Sequence, residues 1–333
     1  MAMADGNPIL VIGELADGEL ADALAPATLG AIAAARALGA GPVGVMLAGP
    51  SVGDAAQTAI AHGAEVVYAV ESPVLADAPP DAVVAAAAAT VAVAGPRIVL
   101  GAKTLLGRDV MPRLAFRLGT ALASDCTSLA LDADGRLLAT RPTYGGNAEA
   151  TVRCLGTPAV ASLRPGTVDA LAADPARTGD VVAVDAAIDA SVVRTRSVER
   201  VEQAAEGLRL EDARVIVSGG RGLGGPEPFE QLEALASLLG GAVGASRAAC
   251  DAGWVPTSYQ VGLTGKTVTP ELYIAVGISG ASQHMAGCAN AKAIVAINKD
   301  AGANIFKDAR FGVIGDWAKV LPAFAEQLHE LLD

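Results

Sequence analysis

Two glycine- and serine-rich segments of this chain have the composition of ligand-cradling loops. Val217-Ser218-Gly219-Gly220-Arg221-Gly222 follows one apolar run, and Ser279-Gly280-Ala281-Ser282-Gln283-His284 follows another. Small residues there let backbone come close to a phosphate or an aromatic ring system. Two such loops in one half of the chain suit a large, two-ended ligand such as a dinucleotide. Gly220-Arg221-Gly222-Leu223-Gly224-Gly225 fits G-x-G-x-x-G after a strand-like run, the pattern that admits a pyrophosphate to a helix N-terminus. Pro226 and Pro228, however, stand where the helix should begin, and Gly240-Gly241 occupies the place of the acidic ribose ligand. An NAD loop and a plain glycine turn both remain open.

Other polar positions follow apolar runs. Ser246-Arg247 comes after the glycine-rich Gly240-Gly241-Ala242-Val243-Gly244. An arginine among small residues can lie flat against a ring or a phosphate, or simply face solvent. Thr264-Gly265-Lys266 resembles the end of a phosphate loop but lacks the earlier glycine of that motif. His284 sits in a segment free of charge, where structural and ligand-facing roles fit equally. Asn298-Lys299-Asp300 ends an apolar run, where an α/β ligand or a turn would be placed. No Ser-His-Asp grouping or carboxylate pair is recognisable from spacing, so no catalytic residue is expected. Only three histidines and four cysteines without CxxC spacing argue against a metal site.

The elements that must position these residues read as α/β. Strand-like runs at Ile9–Ile12, Val43–Leu47, Glu65–Ala69 and Arg97–Leu100 alternate with helical spacing at Ala27–Leu38, Asp54–His62, Asp81–Val93 and Arg108–Leu118. That rhythm predicts a mostly parallel sheet flanked by helices. Leu129–Leu131, Leu137–Thr140, Thr151–Val152 and Val160–Leu163 are short strands between turn signals, read as an antiparallel extension closing the first domain. Arg194 to Glu211 carries eight charges and few large apolar groups, which marks a linker. Beyond it, strands at Arg214–Val217, Tyr273–Val276 and Ala293–Ile297 and helices at Pro228–Leu239 and Ala323–Leu332 form a second α/β unit. The expected domains are 1–195, a linker at 196–211, and 212–333.

Composition narrows the classes. A formal charge of −12 argues against non-specific binding to nucleic acid or to an anionic membrane. The uncharged stretch from Ala82 to Pro96 is 15 residues, short of the roughly 20 a membrane helix needs. The N-terminus lacks a basic start and a long apolar core, so no signal peptide is expected. The chain reads as cytoplasmic, not membrane-embedded, with reduced thiols.

Taken together, the ordered motifs resemble the alpha subunit of electron-transfer flavoprotein. They are Val217-Ser218-Gly219-Gly220-Arg221-Gly222-Leu223, Val243-Gly244-Ala245-Ser246-Arg247-Ala248-Ala249, Gln260-Val261-Gly262 with Thr264-Gly265-Lys266, Pro270 to Ala281, Gln283-His284 and Ile297-Asn298-Lys299-Asp300. Weaker N-terminal matches include Gly107-Arg108-Asp109, Pro112-Arg113-Leu114, Gly146-Asn147-Ala148 and Arg164-Pro165-Gly166.

The resemblance implies a heterodimer. Its beta subunit would carry AMP or a second FAD, and FAD would be held by a Rossmann-like second domain of this chain. The first domain would dock on beta. Donors would be flavoprotein dehydrogenases such as the acyl-CoA dehydrogenases of fatty acid beta-oxidation, and the acceptor a quinone oxidoreductase leading to the quinone pool. Carried over by position, Arg221 would lie near the flavin or its phosphates, and Ser246 and Arg247 at the ring, the cation favouring reduced, anionic flavin. Val261, Gly262 and Leu263 would be cofactor-binding positions, Leu263 near the flavin, with the Thr264 hydroxyl near flavin N5. His284 would face the pyrimidine end. Ser279, Gly280, Ala281, Ser282 and Gln283 would wrap the pyrophosphate and ribityl region. Asn298 and Asp316 would hold the adenosine end, with Trp317 after them also at the cofactor. Leu263 departs from the family's usual glutamine, and Ser282, Gly224-Gly225, Cys250 and Trp317 are further departures. Two alternatives remain: a subunit of an electron-bifurcating flavoprotein fed by NADH, and an NAD-dependent oxidoreductase using Gly220–Gly225.

Overall fold

The structure, a computed structural model, describes residues 8–16, 23–146, 148–195, 208–211 and 213–332. The chain divides into two compact units, Met1–Pro142 with Glu149–Val201 and Thr143–Ala148 with Glu202–Asp333. Most of the expected linker, residues 196–207, lies outside the described residues.

The first unit runs Ile9–Ile12 (β1), Pro26–Leu38 (α1), Val43–Gly49 (β2), Gly53–Ala61 (α2), Val66–Glu71 (β3), Pro80–Ala94 (α3), Ile98–Ala102 (β4), Leu105–Arg117 (α4) and Leu122–Cys126 (β5). It continues through Ser128–Leu131 (β6), Leu137–Thr143 (β7), Ala148–Arg153 (β8), Ala159–Leu163 (β9) and Asp180–Ala183 (β10). Seven strands form one sheet in the order β10-β3-β2-β1-β4-β9-β5, with parallel pairings throughout. In β1, Ile9 and Val11 enter one core while Leu10 and Ile12 enter the other, because successive side chains of a strand point to opposite faces. Ile32 of α1 and Ile60 of α2 pack on the first face, and Val83 of α3 and Leu114 of α4 on the second. A strand buried on both faces is apolar at every position, which is why these runs were readable.

The same rule corrects one expectation. Val160–Leu163 is not part of an antiparallel extension: β9 pairs parallel with β4 and β5 inside the main sheet. All five of its residues are buried, the pattern of a parallel interior strand, whereas the turn signals around it are those of hairpins. The separate sheet is limited to β6-β7-β8, with β6 antiparallel to β7.

The second unit contains Val215–Gly219 (β11), Phe229–Leu238 (α5), Ala242–Ser246 (β12), Arg247–Asp251 (α6), Gln260–Val261 (β13), Leu272–Val276 (β14), Ser282–Cys288 (α7), Ala293–Asn298 (β15), Phe311–Ile314 (β16) and Trp317–Leu332 (α8). Its strands are ordered β13-β12-β11-β14-β15-β16, all parallel. Counted within the unit this is 3-2-1-4-5-6, a doubly wound order. Ile216, Tyr273 and Ile294 face one core with Met285 of α7. Val217, Ile274 and Ile297 face the other with Leu232 of α5 and Leu321 of α8. The glycine-rich run before Ser246 is thus an interior strand, β12. The closing helix begins at Trp317, earlier than the apolar pattern alone indicated. Among the described residues, no helix is long and apolar enough to cross a membrane.

Candidate functional site

All sixteen candidate positions fall at the carboxyl ends of the six strands of the second unit. Arg221 follows β11, Ser246 ends β12, and Arg247 opens α6. Val261 ends β13, and Gly262, Leu263 and Thr264 follow it. Ser279, Gly280 and Ala281 follow β14, and Ser282, Gln283 and His284 form the first turn of α7. Asn298 ends β15, Asp316 follows β16, and Trp317 opens α8. Because the strands are parallel, these positions line one edge of the sheet, where doubly wound folds bind their ligands.

The glycines of the two central loops hold those loops against one another. A Cβ on Gly220 would stand 2.2 Å from the Gly277 carbonyl oxygen, and one on Gly222 2.7 Å from it. The Gly222 N–H donates to that same oxygen at 3.0 Å. Gly280 has φ +77°, and a Cβ there would meet Ile305 N at 2.2 Å. After Arg221–Leu223, a short 3-10 turn, α5 does not begin until Phe229. The β11 loop is therefore not the tight strand-to-helix turn of an NAD site.

The β13 loop is fastened to α7. The Leu263 N–H donates to the Gln283 carbonyl at 2.7 Å, while the Leu263 side chain is 60% exposed. A Cβ on Gly262 would lie 2.9 Å from that Gln283 oxygen. The Gln260 amide donates to Thr264 Oγ1 at 2.9 Å, which leaves the hydroxyl proton of Thr264 to donate elsewhere.

The polar groups differ in what engages them. Arg221 is exposed. Arg247 pairs with Asp251 at 3.2 Å, one turn along α6, with both side chains mostly exposed. Ser246 Oγ is buried without a hydrogen-bond partner among the described residues. Asn298 Nδ2 donates to the Ile278 carbonyl at 2.9 Å, and its Oδ1 accepts from the Asp300 N–H at 3.0 Å, so the side chain braces the β14 loop. Asp316 accepts from the Ala318 N–H at 3.2 Å, as a helix cap does. Trp317 packs against the core beside Leu321.

His284 is 8% exposed. Its Nε2 lies 3.0 Å from the Tyr273 hydroxyl, and its Nδ1 is buried without a partner among the described residues. Burial pushes the imidazole down to about 4, the Val261 backbone opposing in part. Burial likewise holds the Tyr273 phenol well above its ordinary range.

Gln260, Tyr273 and Ser218 belong to this edge without having been singled out as site residues. Each lies inside a strand, where a polar side chain reads as part of an apolar run. The only signal was that all three stand in the motifs around the site.

Two family models match the chain. The electron transfer flavoprotein domain matches residues 12–189 and the electron transfer flavoprotein FAD-binding domain residues 209–289. Electron transfer flavoprotein subunit alpha of Thermoanaerobacterium thermosaccharolyticum is 45% identical over 87% of this chain and 88% of its own. The Bacillus subtilis protein of that name is 41% identical over 98% of both chains. Protein FixB of Clostridium saccharobutylicum is 44% identical over 71% of both. With both halves matched in order and the two alpha-subunit relatives aligned along 88% and 98% of their length, the chain belongs to the electron transfer flavoprotein alpha-subunit family.

Proposed function

We propose that this chain holds FAD along the carboxyl edge of a Rossmann-like second domain and works as an electron carrier paired with a beta subunit. The observation that carries this reading is the convergence of Arg221, Ser246, Arg247, Thr264 and the Ser279–His284 segment on one edge of a single parallel sheet. The donor set fits a flavin nucleotide. Among the described residues Ser246 Oγ is a buried hydroxyl without a partner, and Thr264 has a proton to donate. Among the described residues Arg247 is held by one exposed ion pair, of a kind worth about 0–1 kcal/mol. Exchanging Asp251 for an anionic ligand therefore costs Arg247 little.

When bound, FAD would supply the electron acceptance and release. The protein's own residues would bind and orient it, with Arg247 opposing negative charge on the ring and Ser246 and Thr264 donating to it. Asn298 and Asp316, engaged in bracing and capping, would shape the adenosine end through the loops they hold. No general base is required for such a role, in keeping with the lack of an acid–base constellation in the sequence.

The family supports a beta-subunit partner. We assign docking on it to residues 1–195 and FAD binding to residues 212–333, joined through 196–211. The proposed donors are flavoprotein dehydrogenases such as acyl-CoA dehydrogenases, and the proposed acceptor is a quinone oxidoreductase, in the cytoplasm. Purification with the beta chain tests the reading: the complex should be yellow, or take up added FAD. A colourless complex that takes up none overturns it. Counting flavins in the complex separates a beta subunit carrying AMP from one carrying a second FAD, the arrangement of a bifurcating relative.

A further inference from the structure

We propose that Tyr273 is a positioning residue that holds His284 in its Nδ1–H tautomer, so that the ring offers a donor rather than a lone pair to the bound ligand. The consequence for FAD rests on the reading above; the tautomer itself does not. Tyr273, second residue of β14, is wholly buried, and its hydroxyl lies 3.0 Å from His284 Nε2. Burial keeps the phenol protonated, so its one proton must go to a neighbour. The neighbours are His284 Nε2, the Ser218 hydroxyl and the Cys288 thiol. An imidazole nitrogen is the best acceptor of the three, and the Cys288 thiol itself faces the His284 carbonyl at 3.6 Å.

If Nε2 accepts from Tyr273, a neutral ring carries its proton on Nδ1. Among the described residues Nδ1 is the ring atom left without a partner, on a side chain only 8% exposed. Val261 and His284 both border the β13 loop and the first turn of α7, so the ring that carries this donor lies directly beneath the candidate site. A histidine without such a partner prefers its proton on Nε2, which makes the assignment testable.

The test is nitrogen NMR of the full chain labelled at histidine. There are three histidines, His62, His284 and His329, and replacing His62 and His329 in turn with asparagine assigns the signals. At pH 7, His284 should carry its proton on Nδ1. Tyr273→Phe keeps the ring volume and should move that proton to Nε2, whereas Ser218→Ala should not. A proton on Nε2 in the native chain overturns the proposal, and so does a tautomer indifferent to Tyr273→Phe. Should Tyr273→Phe fail to fold, the native tautomer alone decides. A flavin-fluorescence titration then reads the consequence, with Tyr273→Phe weakening FAD binding about tenfold. A native chain with the Nδ1 proton whose complex with the beta subunit takes up no FAD defeats the FAD reading and leaves the tautomer assignment standing. Native-strength FAD binding despite a shifted proton overturns the positioning role alone.

Discussion

The buried Gln260 amide donates to the exposed Thr264 Oγ1 at 2.9 Å, so a core residue sets the direction of a site hydroxyl. With its lone pair engaged, that hydroxyl points its proton away from Gln260. Replacing Gln260 with methionine keeps the volume and removes the donor. Both Gln260→Met and Thr264→Val should weaken FAD binding by about 1 kcal/mol, the net worth of a typical hydrogen bond. Because the two act as a unit, the double variant should lose less than the sum. A titration of the four proteins with FAD checks this, and strict additivity would show that Gln260 does not act through Thr264.

Arg247 is bound to Asp251 through an exposed pair one helical turn long. If its charge serves the flavin, Arg247→Ala should lower the flavin potential by about 60 mV, equivalent to a tenfold change for one electron. Asp251→Asn should leave the potential level or raise it, since it removes the competing anion. Dye-equilibrated reduction of the complex reads both. A potential unchanged in Arg247→Ala would place the guanidinium away from the ring.

How much of this was legible depended on whether the information was local. The strand Ile9–Ile12 and the helices after it carry their periodicity within a dozen residues. The two loops at Gly219–Gly222 and Ser279–His284 carry their composition likewise. Sequence pattern alone misplaces β9 because pairing partners are not local: β4 and β5 flank it from well outside its hairpin-like surroundings. β12 lacks large side chains and was read as a glycine run, although β11 and β13 pair on either side of it. Gly220 and Gly222 looked like room for a ligand, yet the atom that needs the room is the Gly277 oxygen. Tyr273 and Gln260 were hidden for the opposite reason, since inside a strand a polar tip shows its purpose only once its partner is in place.

At the carboxyl edge of the first unit, Asp125 joins three strands. Its carboxylate accepts from Arg164 at 2.9 and 2.8 Å and pairs with Lys103 Nζ at 2.7 Å. Burial alone would raise this carboxyl, but the hydrogen bonds and charges of Arg164 and Lys103 outweigh it and hold it below its ordinary value. The backbone there has φ +64°, a conformation asparagine tolerates. Asp125→Asn should therefore isolate the charge and cost about 3 kcal/mol by leaving two cations without their anion. A depressed carboxylate stabilises above its unfolded pKa of about 4 and loses that contribution as pH falls through the folded value. Urea unfolding should show a gap between native chain and variant at pH 7 that narrows as pH falls below about 4. A gap unchanged with pH would mean that the loss comes from packing and not from charge.

His284 gives the opposite kind of group, a base kept neutral by burial, and a higher pH window. Its pKa falls from 6.5 to about 4 because the enclosed ring resists charging, while in the unfolded chain it binds a proton near its ordinary value. The unfolded state thus holds more protons between these two values, and stability declines as pH drops through that interval. The fall is complete near pH 4 and amounts to roughly 3 kcal/mol at 1.36 kcal/mol per unit. His284→Gln removes the titration and should flatten the profile between pH 6.5 and 4, although Gln is less stable at pH 7 for want of the Tyr273 contact. Urea midpoints of both proteins across that range decide the matter. Parallel profiles would mean that His284 takes up its proton in the folded chain, with Nδ1 open to water rather than enclosed.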